Sequence, residues 1–204
     1  RCMKLAWVGL GRIGFEMAAR LVDAGYDLTV WDVDKTARDR AIAAGARGSD
    51  SLLAATSGAD AAIICLPCLA AVEEVVFSAE GIVAGRTAPL TIIDHTTLAP
   101  AETRELARRL SSAGDHCWVD MPVTGGVEAA RSGELIAWAG GTAEAVEKAI
   151  RPAMSYCRLI HRAGESGQGQ MIKAFNQMIV GTTIAAWSEM LKLAHTAGLD
   201  PVKI

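Results

Sequence analysis

The sequence predicts an α/β fold in which a mostly parallel sheet carries helices on both faces. Short apolar runs alternate with longer amphipathic segments along most of the chain, and a glycine-rich turn joins the first run to the first amphipathic segment. Short apolar runs bounded by turn residues are typical of buried strands. We expect strands at 4–8, 27–31, 61–66, 90–94, 117–119, 135–139 and 157–160, and helices at 13–24, 35–43, 70–77, 100–112 and 143–154, with a short helix or turn at 50–57.

The glycine-rich turn, Gly9-Leu10-Gly11-Arg12-Ile13-Gly14, indicates a dinucleotide site. In a Rossmann-type βαβ unit the first glycine permits a tight turn, and the second lets the backbone approach a pyrophosphate. The third glycine allows close packing of the helix, whose free N–H groups and positive dipole end face the phosphates. The sequence therefore predicts that these six residues bind a nicotinamide cofactor. The alternative is an ordinary βαβ turn with chance glycines.

Asp32 bears on the choice of cofactor. It ends the second strand, 18 positions after Gly14, where a carboxylate can accept hydrogen bonds from the adenosine ribose. The same charge would repel a 2′-phosphate, and Lys35 is the nearest base that follows. These features favour NAD over NADP.

Composition excludes several classes of protein. The chain has 204 residues, of which 51% are hydrophobic, and its formal net charge is −3. This charge argues against a nucleic-acid or anionic-membrane partner. We expect no signal peptide or transmembrane helix, because the apolar stretches are interrupted too often. An odd count of five cysteines is typical of reduced thiols and predicts a cytoplasmic location.

Cys65 and Cys68 form a CxxC pair, which is a redox or metal signature in some proteins. The chain has no second CxxC, and its four histidines lack ligand spacing. We therefore interpret Cys65 as a buried strand residue and Cys68 as a loop residue, and we predict no metal site.

The C-terminal segment differs from the alternating pattern. A turn-rich junction at 164–169 precedes a helical pattern over 170–197, with Gly198 as its C′ residue and Pro201 as a stop signal. Apolar side chains cover most of the circumference of this helix, so it needs partners on several sides. We expect an NAD-binding domain at 1–165, and at 166–204 the first long helix of an incomplete all-helical C-terminal domain. This helix would also form a homodimer or homotetramer.

Three further segments carry polar groups that suit chemistry. Residues 94–100 (DHTTLAP) bring hydroxyls to the end of a strand, where they can contact the ribose or substrate, or merely cap a helix. Residues 120–126 (DMPVTGG) expose backbone N–H groups that can hold a carboxylate, unless they form a plain turn. In the third segment Lys173, Asn176 and Gln177 share one helix face. A lysine among apolar residues has a lowered pKa that suits proton exchange, whereas a solvated surface lysine does not.

Together these segments resemble the β-hydroxyacid dehydrogenase family, which includes 3-hydroxyisobutyrate dehydrogenase, tartronate semialdehyde reductase and 6-phosphogluconate dehydrogenase. The turn at 9–14 is similar to the family's GLGxMG, 94–100 to its DxS[ST]xxP, and 120–126 to its DAPVSGG, with Met121 for Ala and Thr124 for Ser. Residues 167–177 are similar to its catalytic GxGxxxKxxN[NQ]. The resemblance covers essentially the whole chain.

The resemblance implies a role for each matching residue. Lys173 would be the general acid/base, and Asn176 and Gln177 would orient a small carboxylate-bearing substrate. The substrate carboxylate would be held by Thr124, Gly125 and Gly126. Leu66, Pro67 and Thr97 would join the glycine turn and Asp32 around NAD.

Within the family, two features narrow the substrate. Gly181 stands where 6-phosphogluconate dehydrogenases carry tyrosine, and Gln177 is typical of tartronate semialdehyde reductases. Trp138 replaces a common methionine, which leaves the shape of the pocket open. The alternatives are a non-catalytic NAD-binding or dimerisation module and an imine-reductase-like relative, which would tend to lack Lys173.

Overall fold

The computed structural model describes residues 3–204, so Cys2, one of the five cysteines predicted to be reduced, lies outside the described residues. The predicted alternation of strands and helices is confirmed. The strands are β1 (Lys4–Val8), β2 (Asp27–Trp31), β3 (Arg47–Gly48), β4 (Ala61–Ile64), β5 (Leu90–Asp94), β6 (His116–Asp120), β7 (Val123–Thr124), β8 (Leu135–Gly140) and β9 (Cys157–Gly164).

The helices lie between these strands and after them. They are α1 (Arg12–Asp23), α2 (Lys35–Ala43), α3 (Leu52–Thr56), α4 (Leu69–Phe77), α5 (Pro100–Ala113), α6 (Gly126–Ser132), α7 (Ala143–Ala153) and α8 (Gln168–Thr196), followed by a 3₁₀ turn at Pro201–Lys203. Within residues 3–204 none of them has the length and hydropathy needed to cross a bilayer.

The sheet has the order β3-β2-β1-β4-β5-β6-β8-β7, and β9 also pairs with β8. Strands β1 to β6 pair with one another in parallel, whereas β8 is antiparallel to β6 and β7. Strand β1 lies between β2 and β4, so the connections leave it in opposite directions. Such a switch point opens a crevice at the carboxyl ends of the strands, which is where ligands bind in these sheets.

Both faces of the sheet are covered, because alternate residues of each strand point to opposite sides. Leu5 and Trp7 of β1 join a buried cluster with residues of α1, α2, α6 and α7. Ala6 and Val8 join a second cluster with residues of α3, α4 and α5. The predicted fold class, a Rossmann-type α/β sheet with helices on both faces, is therefore correct.

Strands β6 and β7 follow one edge of β8 in a single register. Asp120 pairs with Gly140, and Val123 and Thr124 pair with Ala137 and Ile136. The break between the two strands falls at Pro122, which has no N–H to donate to a ladder. Because both strands pair with β8, the end of β6, strand β7 and the start of α6 lie next to one another along β8.

The structure differs from the predicted elements in several places. The two-residue strands β3 and β7 were not predicted. Strand β9 extends to Gly164 rather than residue 160, because pairing with β8 satisfies the backbone of its exposed polar residues. Strand β4 ends at Ile64, two residues early. Helix α6 replaces part of an expected loop; it has only seven residues, too few for a periodic pattern, and packs on α1.

Candidate functional site

The glycine turn after β1 is shaped by close backbone contacts. Gly9 has φ 96°, and a Cβ there would lie 2.3 Å from the carbonyl oxygen of Cys65. A Cβ on Gly14 would lie 2.2 Å from the carbonyl oxygen of Gly9. At Gly11, in contrast, no described atom comes within 4 Å of the Cβ position. The first and third glycines are thus required by the fold, and Gly11 leaves open space where a ligand can approach the backbone.

The carboxylate of Asp32 holds this turn in place. Its Oδ2 accepts a hydrogen bond from the N–H of Leu10 (2.5 Å), and its Oδ1 accepts one from the N–H of Asp34 (2.8 Å). Each oxygen keeps a second lone pair for a ribose hydroxyl. The structure thus places Asp32 against the turn, while its contact with a ribose stays a prediction.

Two arginines of α2 lie beside the turn, although the sequence suggested Lys35 as the nearest base. Arg38 Nη1 donates to the carbonyl oxygen of Asp32 (2.5 Å). Arg40 Nη2 donates to the carbonyl oxygen of Leu10 (3.0 Å) and its guanidinium lies over the ring of Phe15. Lys35 instead pairs with Asp39 of its own helix. Folding of α2 onto β2 therefore places cations here that linear spacing did not reveal.

Two of the predicted cofactor loops meet at the ends of β4 and β5. The N–H of Leu66 donates to the hydroxyl of Thr96 (3.1 Å), and Pro67 and Thr97 are exposed close by in the chain. Neither Thr97 nor Ala99 caps α5 through a side chain; Glu102 accepts from the N–H of Ala99 instead (2.9 Å).

The two cysteines of the CxxC pair lie in different environments. Burial raises the pKa of the Cys65 thiol to about 12, so this thiol stays protonated at neutral pH. Cys68 is exposed at the start of α4. Cys65 lies one residue beyond β4 and is only partly exposed, so its interpretation as a strand residue is wrong, whereas Cys68 lies outside the strand as expected.

Lys173 lies at the centre of the candidate site. It is buried on the first part of α8, and its Nζ donates to the carbonyl oxygen of Val123 (2.9 Å). Burial lowers the pKa of its amine, as expected for a cation removed from water. One turn later, Asn176 Oδ1 accepts a hydrogen bond from Thr124 Oγ1 (3.3 Å). The structure thus brings the predicted lysine and amide to the predicted Thr-Gly-Gly loop.

The other residues predicted to bind substrate are exposed to solvent near Lys173. Gly125 and Gly126 are exposed, with φ 130° and 75°, and lead into the first turn of α6. Gln177 is exposed on α8. The backbone N–H of Trp138 donates to the carbonyl oxygen of Pro122 (3.3 Å), which places this residue beneath the same loop.

Asp120 is a functional candidate that the sequence did not single out. Its Oδ1 accepts from the N–H of Gly167 (2.7 Å), and its Oδ2 accepts from the N–H of Gln170 (3.0 Å), so its carboxylate caps the N-terminus of α8. A Cβ on Gly140 would lie 2.7 Å from this carboxylate, and one on Gly169 would lie 2.8 Å from it. Gly140 and Gly169 were the features of the sequence that could have pointed to Asp120, because the lack of a Cβ at each leaves room for its buried carboxylate.

The buried acid at the end of the neighbouring strand has a similarly perturbed environment. Burial, with a smaller contribution from nearby Asp120, raises the pKa of Asp94 to about 7. Asp94 Oδ1 accepts from the N–H of Thr96 (2.8 Å). Burial also raises the pKa of Asp120 to about 6, against the effect of its backbone hydrogen bonds.

His95 has a structural environment rather than a catalytic one. Its Nδ1 lies 2.6 Å from the carbonyl oxygen of Met121, which can only accept, so Nδ1 carries the proton. Its Nε2 therefore accepts from the hydroxyl of Tyr156 (2.8 Å). Burial lowers the pKa of His95 to about 4, and the ring stacks on Trp7. This neutral imidazole fixes the loops at the ends of β5 and β6.

A cavity away from this site lies beside α5. It has a volume of about 790 Å³ and lies between α5 and the ends of β8 and β9; of the described residues that line it, none is a predicted cofactor or substrate residue. A cavity of about 460 Å³ opens next to Asp32, between Trp31, Val33, Leu52 and Val75. The polar groups converge instead at the glycine turn and at Lys173.

Comparisons with known proteins agree with this geometry. Residues 4–157 match the family described as the NAD binding domain of 6-phosphogluconate dehydrogenase, and residues 167–204 match the NAD-binding family of NADP-dependent 3-hydroxyisobutyrate dehydrogenase.

Curated relatives and a solved structure extend the likeness along the chain. A 3-hydroxyisobutyrate dehydrogenase of Pseudomonas aeruginosa is 37% identical over 97% of this chain and 66% of the relative. A 2-hydroxy-3-oxopropionate reductase of Escherichia coli is 36% identical over 99% of this chain and 68% of the relative. The structure of Mycobacterium tuberculosis 3-hydroxyisobutyrate dehydrogenase with L-serine superposes with a TM-score of 0.88 at 30% identity, over 98% of this chain and 67% of the other.

The chain therefore spans about two thirds of the length of the curated relatives it matches. The resemblance drawn from four sequence motifs is confirmed, and residues 4–157 form an NAD-binding domain. On these grounds the chain belongs to the β-hydroxyacid dehydrogenase family of oxidoreductases, together with 3-hydroxyisobutyrate dehydrogenase and 2-hydroxy-3-oxopropionate reductase.

Proposed function

We propose that the protein is an NAD-dependent oxidoreductase that transfers hydride between the nicotinamide and a small 3-hydroxy or 3-oxo acid. The substrate belongs to the 3-hydroxyisobutyrate or tartronate semialdehyde class. The observation that carries the proposal is the buried Lys173, whose Nζ is 2.9 Å from the carbonyl oxygen of Val123, beside the Thr-Gly-Gly loop. A buried amine with a lowered pKa exchanges protons more readily near neutral pH.

In this proposal Lys173 holds or releases the proton of the substrate oxygen that interconverts between hydroxyl and carbonyl. Bound NAD supplies the hydride acceptor in the oxidation direction. Thr124, Gly125 and Gly126 bind the substrate carboxylate. The backbone of the two glycines is exposed, and the Thr124 hydroxyl, which donates to Asn176 in this structure, can rotate towards an anion. Asn176 and Gln177 orient the substrate from the face of α8 that carries Lys173.

The proposed cofactor site comprises the glycine turn, Asp32 and the loops after β4 and β5. The open space at Gly11 suits a pyrophosphate. We propose that NAD is preferred over NADP because the Asp32 carboxylate repels a 2′-phosphate, while Arg38 and Arg40 already bond to backbone carbonyl oxygens. The residues of this site are Gly9, Leu10, Gly11, Arg12, Ile13, Gly14, Asp32, Leu66, Pro67 and Thr97. Calorimetric titration is expected to give a lower Kd for NAD than for NADP; equal or reversed values would contradict the preference.

We also propose the organisation of the chain and its assembly. Residues 1–165 form the NAD-binding domain, and 166–204 begin a helical C-terminal domain. Helix α8 exposes Met178, Ile179, Ile184 and Trp187, and exposed apolar surface of this extent marks an interface. The proposed assembly is a homodimer or homotetramer through this helix, in the cytoplasm.

Substitution of Lys173 tests the catalytic proposal. In the natural full-length protein, Lys173→Ala is expected to lower turnover of a 3-hydroxy acid by about 10²–10⁴, while the Kd for NAD stays nearly unchanged. Lys173→Arg is not expected to restore turnover, because guanidinium does not release its proton near neutral pH. Lys192→Ala, at an exposed position of the same helix, is the matched control.

A Lys173→Ala protein with near-normal turnover would contradict the role of this lysine. An unmodified protein that binds NAD but oxidises or reduces none of a panel of 3-hydroxy and 3-oxo acids would favour the non-catalytic alternative. Turnover of cyclic imines instead of acids would favour the imine-reductase-like alternative.

A further inference from the structure

Gln170 is the most deeply buried polar side chain of α8, with 1% of its surface exposed. The nitrogen and the oxygen of its side-chain amide both form hydrogen bonds with the loop between β5 and α5. Nε2 donates to the carbonyl oxygen of Thr96 (2.6 Å), and Oε1 accepts from the N–H of Leu98 (3.2 Å). A buried amide with donor and acceptor both satisfied fixes the two segments that it joins.

The backbone of the same residue is fixed from a different side. The N–H of Gln170 donates to Asp120 at the end of β6, as does the N–H of Gly167. The first turn of α8 is therefore held by the ends of two neighbouring strands. We call Asp120, Gln170 and Thr96 the α8 clamp.

The clamp connects the two halves of the candidate site. On one side, the hydroxyl of Thr96 accepts a hydrogen bond from the N–H of Leu66, which belongs to the proposed cofactor site. In the other direction, Lys173 lies three residues after Gln170 on the same helix, a step of about 4.5 Å along the axis. A shift of the first turn of α8 would therefore move Lys173 relative to the loops that face the nicotinamide.

We propose that Gln170 is a positioning residue that sets the location of Lys173 relative to the cofactor loops, a role that rests on the oxidoreductase function proposed above. Gln170 does not itself act on the substrate. Its two hydrogen bonds tie the proton-exchanging helix to the loop at 94–100, so that substrate and lysine meet at a fixed distance. A misplacement of about 1 Å can reduce turnover by about 10²-fold.

Substitution with a side chain of similar size tests the positioning role. In the full-length protein, Gln170→Leu is expected to lower kcat by about tenfold or more. KM for the acid and the Kd for NAD should change by less than about threefold, because the carboxylate and the pyrophosphate bind to other segments. Gln168→Leu, an exposed glutamine two residues earlier, is the matched control and is expected to leave kcat, KM and Kd unchanged.

The pH profile of a second variant separates positioning from a general loss of stability. In Gln170→Glu, the side chain can donate to the carbonyl oxygen of Thr96 only when it is protonated, and burial favours the protonated form. The ratio of its kcat to that of the unmodified protein, measured in the reduction direction, is therefore expected to rise as the pH falls. The ratio for Gln168→Glu should not depend on pH.

A readout that needs no turnover distinguishes failure of this proposal from failure of the proposed function. The pKa of the Lys173 amine can be followed by NMR after ¹³C-methylation and assigned with Lys173→Arg. Gln170→Leu should move this pKa towards the ordinary value of lysine, whereas Gln168→Leu should not. An unchanged lysine pKa together with an unchanged kcat in folded Gln170→Leu would overturn the positioning role. Near-normal turnover of Lys173→Ala together with a moved pKa in Gln170→Leu would instead refute the proposed function alone.

Discussion

The two parts of helix α8 reverse the usual relation between polarity and burial. In its first part, residues 168–176, the side chains of Gln170 and Lys173 are buried and bonded to loops of the sheet. In its second part, residues 177–196, apolar side chains such as Ile184 and Trp187 are exposed by 61% and 53%. Burying polar groups costs free energy unless each finds a partner. The difference is consistent with the proposals that the first part holds a site and that further protein covers the second.

A pair of helix glycines gives the largest expected contrast between the two parts. A Cβ on Gly169 would lie 2.4 Å from the carbonyl oxygen of Trp138, whereas at Gly181 no described atom lies within 4 Å. Gly169→Ala is expected to lower the free energy of unfolding by about 3 kcal/mol, because backbone atoms cannot move aside. Gly181→Ala is expected to raise it by about 0.5–1 kcal/mol, since alanine is the better helix former. Urea denaturation measures both, and equal effects would contradict the comparison.

Association tests the second part of the helix alone. If the exposed face is an interface, Trp187→Gln should weaken self-association by about 2 kcal/mol, as expected for a buried aromatic anchor. Sedimentation equilibrium measures the dissociation constant, with the polar exchange Lys192→Gln as control. An unmodified protein that stays monomeric at high concentration would refute the proposed oligomer.

The smallest expected effect concerns Thr124, which contacts the first part of α8 through Asn176. Thr124→Ala removes the hydroxyl that bonds to Asn176 and should raise KM for the acid about fivefold, the equivalent of one hydrogen bond of about 1 kcal/mol. Turnover should change less, as expected for a group that binds ground and transition states alike. Thr182→Ala is the control, because its hydroxyl bonds to the carbonyl oxygen of Met178 within the exposed part. A fall in kcat at constant KM would argue against substrate binding by Thr124.

The fold class and the glycine turn were predictable because their signals are local. Glycine is required at position 14 by the carbonyl oxygen of Gly9 in the same turn, whereas at position 9 it is required by the carbonyl oxygen of Cys65, which only the fold brings near. The end of α8 was likewise readable, with Gly198 at φ 72° just after the helix. The short helix α6 was not predictable, because seven residues carry too little periodicity and packing on α1 stabilises it.

In the candidate site, too, some features were predictable from the sequence and others were not. Lys173 and Asn176 could be placed on one helix face, because an α-helix brings residues three apart to the same side. The loop at 120–126 was a candidate carboxylate site from its own residues, but only the resemblance to a family implied that it acts together with Lys173. Nothing in the spacing of the sequence predicted that Arg38 and Arg40 lie beside the glycine turn.

The local chemistry of the chain specifies its strands, its helices, the glycine turn and the spacing of Lys173 and Asn176, because each depends on residues close in sequence. The partners of buried polar groups depend instead on the order of the strands. Asp120 meets Gly167 across 47 positions and Gln170 across 50, because β6 ends where α8 begins in space. Gln170 meets Thr96 across 74 positions. Only the packed sheet brings these groups within hydrogen-bonding distance, since a buried polar atom has no preferred partner until the fold supplies one.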